Sequence, residues 1–238
     1  MTRRRWIADQ VAGSRAMLLG EHAQHLARVL RARVGQEFDI ATESKIYRGR
    51  IISIADDRVE FDLGDEIPAP TVHSVTLAIS VFKFDRMEWA IEKCTELGLA
   101  RIVPVIAHRT EAHLAAAATK RVERWQRVAR QASEQARRVL PPEISLPIKF
   151  KAATSLPGGV RIVLSEVEAD VMLKDIVRSW NGEGEVVLAL GPEGGWTEAE
   201  LKLFQEAGWR SASLGDTILR AETAAIAGLA VVLAELVE

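Results

Sequence analysis

A glycine-rich turn at residues 191–195 is the part of this sequence best suited to hold a ligand. An apolar stretch, residues 185–190, runs into Gly-Pro-Glu-Gly-Gly, and a polar, helix-like segment follows. Glycine lacks a Cβ, so its backbone can adopt positive φ and approach a bound molecule closely. Thr197 and Glu200 have the spacing of a capping box, which predicts that a helix begins there. A tight strand-to-helix turn without a ligand is an equally good interpretation of these residues taken alone.

A second unusual turn lies downstream, at residues 213–220. It joins a short predicted strand to a very apolar predicted helix. In open α/β sheets, ligands bind outside the carboxyl ends of the strands, so we expect both turns to border one pocket. The first turn has neither the Gly-Lys-Ser/Thr ending of a phosphate-binding loop nor the G-x-G-x-x-G spacing of a dinucleotide fold. Its sequence therefore argues against both of those ligand classes.

The sequence gives little indication of a metal site or of a covalent nucleophile. The five histidines and the single cysteine, Cys94, do not show zinc-ligand spacing, and no G-x-S-x-G motif is present. We therefore expect no metal site and no covalent nucleophile. Cys94 shares helical spacing with Met87 and Ile91, which predicts a position in the core. A single cysteine also fits a reducing compartment, which favours a cytoplasmic location.

Basic residues are concentrated in two parts of the chain, although the formal net charge is only -2. The first fifty residues hold ten Lys or Arg against five Asp or Glu. A long predicted helix, residues 119–139, repeats arginine along one face. Such local basic surfaces suit the phosphate backbone of RNA, and a solvated charged surface is the alternative for each. The candidate RNA contacts are Arg3, Arg4, Arg5, Arg28, Arg31, Arg124, Arg127 and Arg138.

A proline-containing segment, residues 67–70, separates two different patterns in this chain of 238 residues. Short β-like segments dominate before it and predict a small, mostly β domain. After it, strands alternate with helices, which predicts a largely parallel sheet covered on both faces. We therefore place one domain at residues 1–68 and the other at residues 72–238. No apolar run reaches the ~20 residues that would span a bilayer, so no membrane association is expected.

The periodicity also predicts the individual elements. In the first domain we expect a helix over residues 21–33 and strands over 37–41, 46–54 and 58–63. In the second we expect strands over 75–81, 101–107, 144–150, 160–165, 185–190 and 210–214, with helices over 86–97, 119–139, 170–179, 197–207 and 221–237. Asp85 is predicted to cap the first helix of the second domain, and Gly98 to end it.

Several motifs, taken together, resemble one protein family. They are Leu-Gly-Pro-Glu-Gly-Gly at residues 190–195, Leu-Gly at 214–215, Ile-Leu-Arg-Ala-Glu-Thr-Ala at 218–224 and Glu-Leu-Gly at 96–98. The sequence is similar to the RsmE family of bacterial ribosomal RNA methyltransferases, which belongs to the SPOUT class. The arginine-rich start and the helix near residues 25–31 resemble the PUA-like RNA-binding domain of that family.

The resemblance implies an α/β fold: a SPOUT-type parallel sheet with a C-terminal trefoil knot, preceded by a small PUA-like β-barrel domain. It implies S-adenosylmethionine-dependent methylation of N3 of a specific uridine in 16S ribosomal RNA, in the small subunit. It also implies a homodimer. The cofactor-binding residues implied are Leu190, Gly191, Pro192, Glu193, Gly194, Gly195, Leu214, Gly215, Ile218 and Leu219.

Arg220 is the residue to which we assign a catalytic role, because its guanidinium can stabilise negative charge developing on the uracil carbonyls. An ion pair with Glu222 or Glu193 is the alternative role for it. The general base stays open between Glu134, Glu222 and proton loss to solvent. The family commonly has Pro-Arg where this chain has Asp-Thr at residues 216–217, so no role for an arginine there is transferred.

Three alternative functions stay open on the sequence. An RNA-binding adaptor with an inactive cofactor fold would share the basic surface without binding S-adenosylmethionine. A SPOUT methyltransferase acting on another RNA target would share every motif. A methyltransferase of small molecules would bind the cofactor without needing the N-terminal domain.

Overall fold

The computed structural model describes residues 5–42, 45–68 and 74–236, and these form two compact units. The first unit comprises the described residues of Met1–Thr71 together with Ser133–Pro141, and the second comprises those of Val72–Ala132 and Pro142–Glu238. The sequence did not indicate that residues 133–141 would join the first unit. Part of the expected linker, residues 69–70, lies outside the described residues.

The first unit is built on a six-stranded mixed sheet in the order β1-β4-β5-β6-β3-β2. Its strands are β1 (Arg5–Ile7), β2 (Gln10–Ala12), β3 (Arg15–Leu19), β4 (Glu37–Ala41), β5 (Ile46–Ile54) and β6 (Arg58–Ile67). Only the pair β1 and β4 is parallel. Leu18, Ile40 and Phe61 point into one core, as expected where alternate residues of a strand face the same side. The sheet is curled into a half-barrel rather than closed.

The helix of the first unit is shorter than the prediction over residues 21–33. Helix α1 (Gly20–Gln24) continues into a π-helical turn, His25–Val29, and helical geometry ends at Leu30. Arg31 then adopts a left-handed conformation with φ of 51°. A single left-handed residue stops the helical hydrogen-bond ladder. The chain then turns at residues 34–35, where the N–H of Gln36 donates to the carbonyl oxygen of Arg33 at 3.1 Å.

Residues 133–141 belong to the first unit because they pack into it. Val139 is buried in a small apolar cluster with Ile7, Ala41 and Ile46. The guanidinium of Arg5 donates a hydrogen bond to the carbonyl oxygen of Arg137. These contacts join parts of the chain separated by more than 90 residues in the sequence, which is why local periodicity did not reveal them.

The second unit contains a seven-stranded sheet in which every strand pair is parallel, as predicted. The order is β10-β8-β7-β12-β11-β13, and β9 also pairs with β8. The strands are β7 (Val75–Ser80), β8 (Arg101–Ile106), β9 (Glu143–Ile144), β10 (Ile148–Lys149), β11 (Val160–Leu164), β12 (Val186–Leu190) and β13 (Arg210–Ala212). The helices are α2 (Phe84–Leu97), α3 (Ala112–Gln135), α4 (Phe150–Ala153), α5 (Leu173–Arg178), α6 (Glu198–Glu206) and α7 (Ala221–Leu236).

Several predicted element boundaries in the second unit were wrong. Helix α3 begins and ends earlier than the predicted range 119–139. Two short strands, β9 and β10, replace the single strand predicted over residues 144–150, and Pro147 between them lacks the backbone N–H that a strand needs. Lys83 is the N-cap residue of α2, so the predicted cap at Asp85 was wrong, whereas Gly98 ends that helix with φ of 110° as predicted.

Two apolar layers cover the sheet of the second unit. One includes residues of α2, α3, α5 and α7, and the other is built around an aromatic cluster centred on Phe204 of α6. In the aromatic cluster, Phe204 lies 4.8 Å from Trp209 and 5.1 Å from Trp196, measured between ring centroids. Cys94 is buried in the first layer, as predicted, and burial raises the pKa of its thiol to about 12. It is therefore an inert thiol at neutral pH.

Candidate functional site

A cleft of about 430 Å³ opens where β11, β12 and β13 end, and this volume lies in the usual range of small-molecule sites. Its walls are residues 164–166 after β11, the glycine-rich turn after β12, and residues 212–222 after β13. The two turns singled out in the sequence therefore line one cleft. This position follows from the parallel sheet, because the carboxyl ends of neighbouring strands meet at one edge.

Glycine is required at two points of the first turn. Gly195 has φ of 68°, a conformation that strains any residue with a Cβ, and a Cβ there would meet the carboxylate of Glu166. At Gly191 a Cβ would lie only 3.3 Å from backbone atoms of Gly195 and Trp196. The N–H of Gly195 donates to the carbonyl oxygen of Pro192 at 2.8 Å and closes the turn.

Side chains from other elements hold this turn in place. The indole N–H of Trp196 donates to the carbonyl oxygen of Leu164 at 3.1 Å, which joins the turn to the end of β11. The guanidinium of Arg109 donates to the carbonyl oxygens of Gly194 at 2.5 Å and Trp196 at 3.3 Å. Sequence analysis missed Arg109, because nothing in its local pattern shows that the loop after β8 reaches this turn.

Glu200 anchors the start of α6. It is 4% exposed and completes the predicted capping box, in which Thr197 accepts from the Glu200 N–H and the carboxylate accepts from the Thr197 N–H at 2.9 Å. Its other oxygen accepts from the N–H of His108 at 2.8 Å. One buried carboxylate thus ties the glycine-rich turn to the loop after β8.

Nine of the ten residues expected to bind a cofactor line the cleft: Leu190, Gly191, Pro192, Glu193, Gly195, Leu214, Gly215, Ile218 and Leu219. Gly194 is the exception, and a Cβ built there would face the side chain of Arg109 at 3.3 Å. Ile218 is 87% exposed, so the second wall presents a large apolar side chain to solvent. Gly215 shapes this wall with φ of 125°, and its N–H donates to the hydroxyl of Ser213 at 3.1 Å.

Charged side chains from α2 and α7 also line the cleft. Glu222 lines it and is only 3% exposed, and its Oε1 accepts from the guanidinium of Arg86 at 2.8 Å. Its Oε2 is buried with no hydrogen-bond partner among the described residues. An unpaired buried acceptor costs about 1–3 kcal/mol, and more where the group is charged. Sequence analysis did not identify Arg86, which is supplied by the first turn of α2.

Arg220 lines the same cleft and is exposed. Within the described ranges, the two carboxylates considered as its partners bind other cations. Glu222 pairs with Arg86, and Glu193 lies 3.7 Å from the ammonium of Lys83. The alternative of an ion pair for Arg220 is therefore not realised at either carboxylate.

Glu134, the other carboxylate considered as a base, is not among the residues that line the cleft. It belongs to the first unit, where its carboxylate lies 3.8 Å from Nε2 of His22. His22 also contacts the carboxylate of Asp9 at 3.1 Å. Of the two carboxylates that the sequence left open as the general base, only Glu222 lines the cleft.

The candidate RNA-binding arginines of the first unit differ in exposure. Arg28 and Arg31 are exposed, and Arg28 lies 3.4 Å from the carboxylate of Asp56. Arg5 and Arg138 are half-buried. Burial lowers the pKa of both guanidinium groups, that of Arg138 to about 10, which leaves the latter charged at neutral pH. Arg3 and Arg4 lie outside the described residues.

The two arginines expected on the long helix lie on α3 in the second unit. Arg124 and Arg127 are exposed, and the Nε of Arg124 donates to the carboxylate of Glu88 at 3.2 Å. The opposite face of the helix, including Val122 and Trp125, is buried. An amphipathic helix with a basic outer face is therefore present.

Within residues 5–42, 45–68 and 74–236, no group of three or more His, Cys, Asp or Glu side chains could hold a metal ion. Among the same residues, no helix is long and apolar enough to cross a bilayer.

Comparisons with known proteins agree with this geometry. A family model for an RNA methyltransferase domain matches residues 69–233, and a model for an RNA methyltransferase PUA domain matches residues 18–64. The ribosomal RNA small subunit methyltransferase E of Synechocystis is 32% identical over 230 residues, covering 93% of this chain and 74% of that protein.

Solved structures cover almost the whole chain. A crystal structure of a ribosomal RNA small subunit methyltransferase E from Neisseria gonorrhoeae, bound to S-adenosyl methionine, is 30% identical and covers 96% of each chain, with a TM-score of 0.85. A Legionella pneumophila protein in complex with the bound cofactor SAM is 26% identical and covers 98% of each chain, with a TM-score of 0.87.

Glu200→Ala should destabilise the second unit by about 1–3 kcal/mol, because it leaves the N–H groups of Thr197 and His108 without their buried acceptor. Urea denaturation followed by tryptophan fluorescence measures this loss. Glu198→Ala is the matched control, since Glu198 is exposed on the same helical turn and should contribute less than about 1 kcal/mol. Equal losses for the two variants would contradict the anchoring role of Glu200.

Proposed function

This chain belongs to the RNA methyltransferase family, in the group of ribosomal RNA small subunit methyltransferase E, and we propose that it methylates small-subunit ribosomal RNA with S-adenosylmethionine as donor. The observation that carries the proposal is the cleft after β11, β12 and β13, whose walls are the two family motifs. The relatives named above, one of them solved with the donor bound, support the same assignment.

The residues of the cleft fit this donor. Backbone at Gly191 and Gly195 leaves room for close approach of a ligand, and Leu190, Leu214 and Leu219 offer apolar surface for a purine ring. Carboxylates of Glu166 and Glu193 favour a cationic molecule. S-adenosylmethionine supplies an electrophilic methyl carbon whose bond to sulfur breaks as the bond to the acceptor forms. The ten residues assigned to cofactor binding, Gly194 included, stay a proposal.

We place the methyl group on N3 of a uridine in 16S ribosomal RNA, on the strength of the family resemblance. As the N3 proton leaves, negative charge spreads to the two carbonyl oxygens of uracil. Arg220 is exposed in the cleft with both candidate carboxylate partners engaged elsewhere, so its guanidinium is available to stabilise that charge. Glu222 is the proposed base in preference to Glu134, because only Glu222 lines the cleft.

The RNA is proposed to bind through the exposed arginines Arg28, Arg31, Arg124 and Arg127, with Arg3 and Arg4 as further candidates. The match to an RNA methyltransferase PUA domain supports this role for the first unit. Arg5 and Arg138 are weaker candidates for phosphate contacts because both are half-buried. An enzyme of this kind acts where small subunits are assembled, so we propose a cytoplasmic location.

We also propose that the enzyme is a homodimer with the trefoil knot of its class. The apolar helix α7 supports a dimer, because Ile226, Val231 and Leu233 are only partly buried along it. The domain limits at residues 1–68 and 72–238 are likewise proposed, with residues 133–141 packing with the first domain.

The target is tested by mapping methylated nucleotides of ribosomal RNA, by mass spectrometry, in cells with and without the gene. We expect one N3-methyluridine in 16S RNA to disappear without the gene and to return with a plasmid copy. Methylation lost at another nucleotide would indicate a different RNA target. Unchanged RNA together with no binding of S-adenosylmethionine would indicate an RNA-binding adaptor.

Gly195→Ala should raise the dissociation constant for S-adenosylmethionine by about tenfold or more, since a left-handed non-glycine residue costs ~1–3 kcal/mol and the turn must rearrange. Isothermal titration calorimetry measures the change. Gly182→Ala is the control: Gly182 has φ of 80°, and a Cβ there meets nothing within 4 Å. Gly182→Ala should impose similar backbone strain without weakening the binding of S-adenosylmethionine. An equal loss of affinity in the two variants would contradict a role of the glycine-rich turn in the proposed site.

Arg220→Ala should lower kcat by about 10²–10³-fold, the effect of removing one charge-stabilising donor, while the cofactor dissociation constant stays within about twofold. A methyl-transfer assay with radiolabelled donor, combined with calorimetry, separates the two quantities. Arg210→Ala is the control, because Arg210 is exposed on β13 and is not among the residues lining the cleft. An unchanged kcat for Arg220→Ala would exclude Arg220 from the mechanism.

A further inference from the structure

An ion pair inside the cleft stands out from the others that the structure contains. Arg86 on α2 and Glu222 on α7 are joined at 2.8 Å, and both line the cleft. The side chain of Glu222 is almost fully buried, with 4% exposure, and the side chain of Arg86 is 31% exposed. Most other ion pairs in the described ranges, such as Arg178 with Glu235, have at least one partner that is more than half exposed.

The pair leaves Glu222 with unused acceptor capacity. Arg86 occupies Oε1, and Oε2 has no partner among the described residues. A carboxylate that is buried, paired with a cation through one oxygen and still short of a donor at the other is suited to receive an N–H group from a ligand. A purely structural pair would be expected to satisfy both oxygens, because an unpaired buried acceptor is unfavourable.

The neighbouring donor indicates which ligand this is. Arg220 lies two residues before Glu222, lines the same cleft and is exposed. An acceptor and a cationic donor that line the same cleft are together complementary to the imide edge of uracil, where N3 carries a hydrogen next to a carbonyl oxygen. Cytosine presents an unprotonated N3 at that position, so it would place two acceptors against each other at Glu222.

We infer that Arg86 is a positioning residue for methyl transfer: it holds the carboxylate of Glu222 in the orientation in which Glu222 receives the N3 proton of the target uracil. This inference rests on the proposed function. The N3–H bond breaks and its proton goes to Glu222, while the nitrogen electron pair forms the bond to the methyl carbon. The electrons of the broken carbon–sulfur bond stay on sulfur, and Glu222 returns its proton to solvent.

The test compares single-turnover methyl transfer for Glu222→Gln, Arg86→Gln, Arg86→Lys and the double variant Arg86→Gln with Glu222→Gln. General-base catalysis contributes about 10²–10⁴-fold, so Glu222→Gln should lose at least about 10²-fold and Arg86→Gln at least about tenfold. Arg86→Lys should recover most of the rate, since an ammonium can still pair with the carboxylate. In the double variant, losing Arg86 should add nothing to the effect of Glu222→Gln.

Two further readouts separate this role from a structural one. Calorimetry should give cofactor dissociation constants within about twofold of the unmodified protein for every variant. RNA carrying 5-fluorouridine at the target, whose N3–H is more acidic, should shrink the deficit of Glu222→Gln, because a more acidic proton depends less on a base. Arg178→Gln is the matched control, since it breaks another ion pair of α7, with Glu235, outside the lining of the cleft, and should leave the rate unchanged.

The inference would be overturned if Arg86→Gln lowered the rate by the same factor in the unmodified protein and in Glu222→Gln. It would also be overturned if weaker binding of S-adenosylmethionine explained the whole loss of rate, because the ion pair would then serve cofactor binding. If Arg86→Gln does not fold, the 5-fluorouridine comparison on Glu222→Gln decides alone, and an undiminished deficit refutes the role of Glu222. Failure of the proposed function is seen separately, as the absence of uridine N3 methylation by the unmodified protein.

Discussion

The central position of β12 in the parallel sheet is the constraint on which the site depends. All five residues of this strand are buried, and it pairs with β7 on one side and β11 on the other. The carboxyl end of this strand lies between those of its two neighbours, and there the chain must turn sharply into α6. Gly191 and Gly195 permit that turn, and the cleft lies beside it.

The rigidity of this turn comes from side chains rather than from the glycines. Glycine widens the conformations open to a chain, so a glycine-rich turn needs outside contacts to adopt one of them. Trp196, Arg109 and Glu200 provide these contacts from the turn itself, the loop after β8 and the first turn of α6. A preformed backbone binds its ligand without first losing conformational entropy, which favours tight and specific cofactor binding.

Charge acts locally in this protein. A formal net charge of -2 gives the whole molecule little attraction for RNA, so binding must rely on where the arginines lie. The arginines differ in their tertiary contacts. Arg28 and Arg127 are exposed, whereas Arg5 joins residues 133–141 to the first unit. Arg86 pairs with a buried carboxylate in the cleft, whereas Arg220, which lines the same cleft, pairs with neither candidate carboxylate.

Sequence alone determined the features that depend on near neighbours in the chain: the alternation of strands and helices, the capping box at Thr197 and Glu200, the end of α2 at Gly98, and the family itself. Backbone conformation and local hydrogen bonds are encoded within a few residues, so patterns reveal them. Only the tertiary structure distinguished Glu222 from Glu134 and brought Arg86, 136 residues away, to its carboxylate. Burial and ion pairing depend on which distant segments meet, and no local period carries that information.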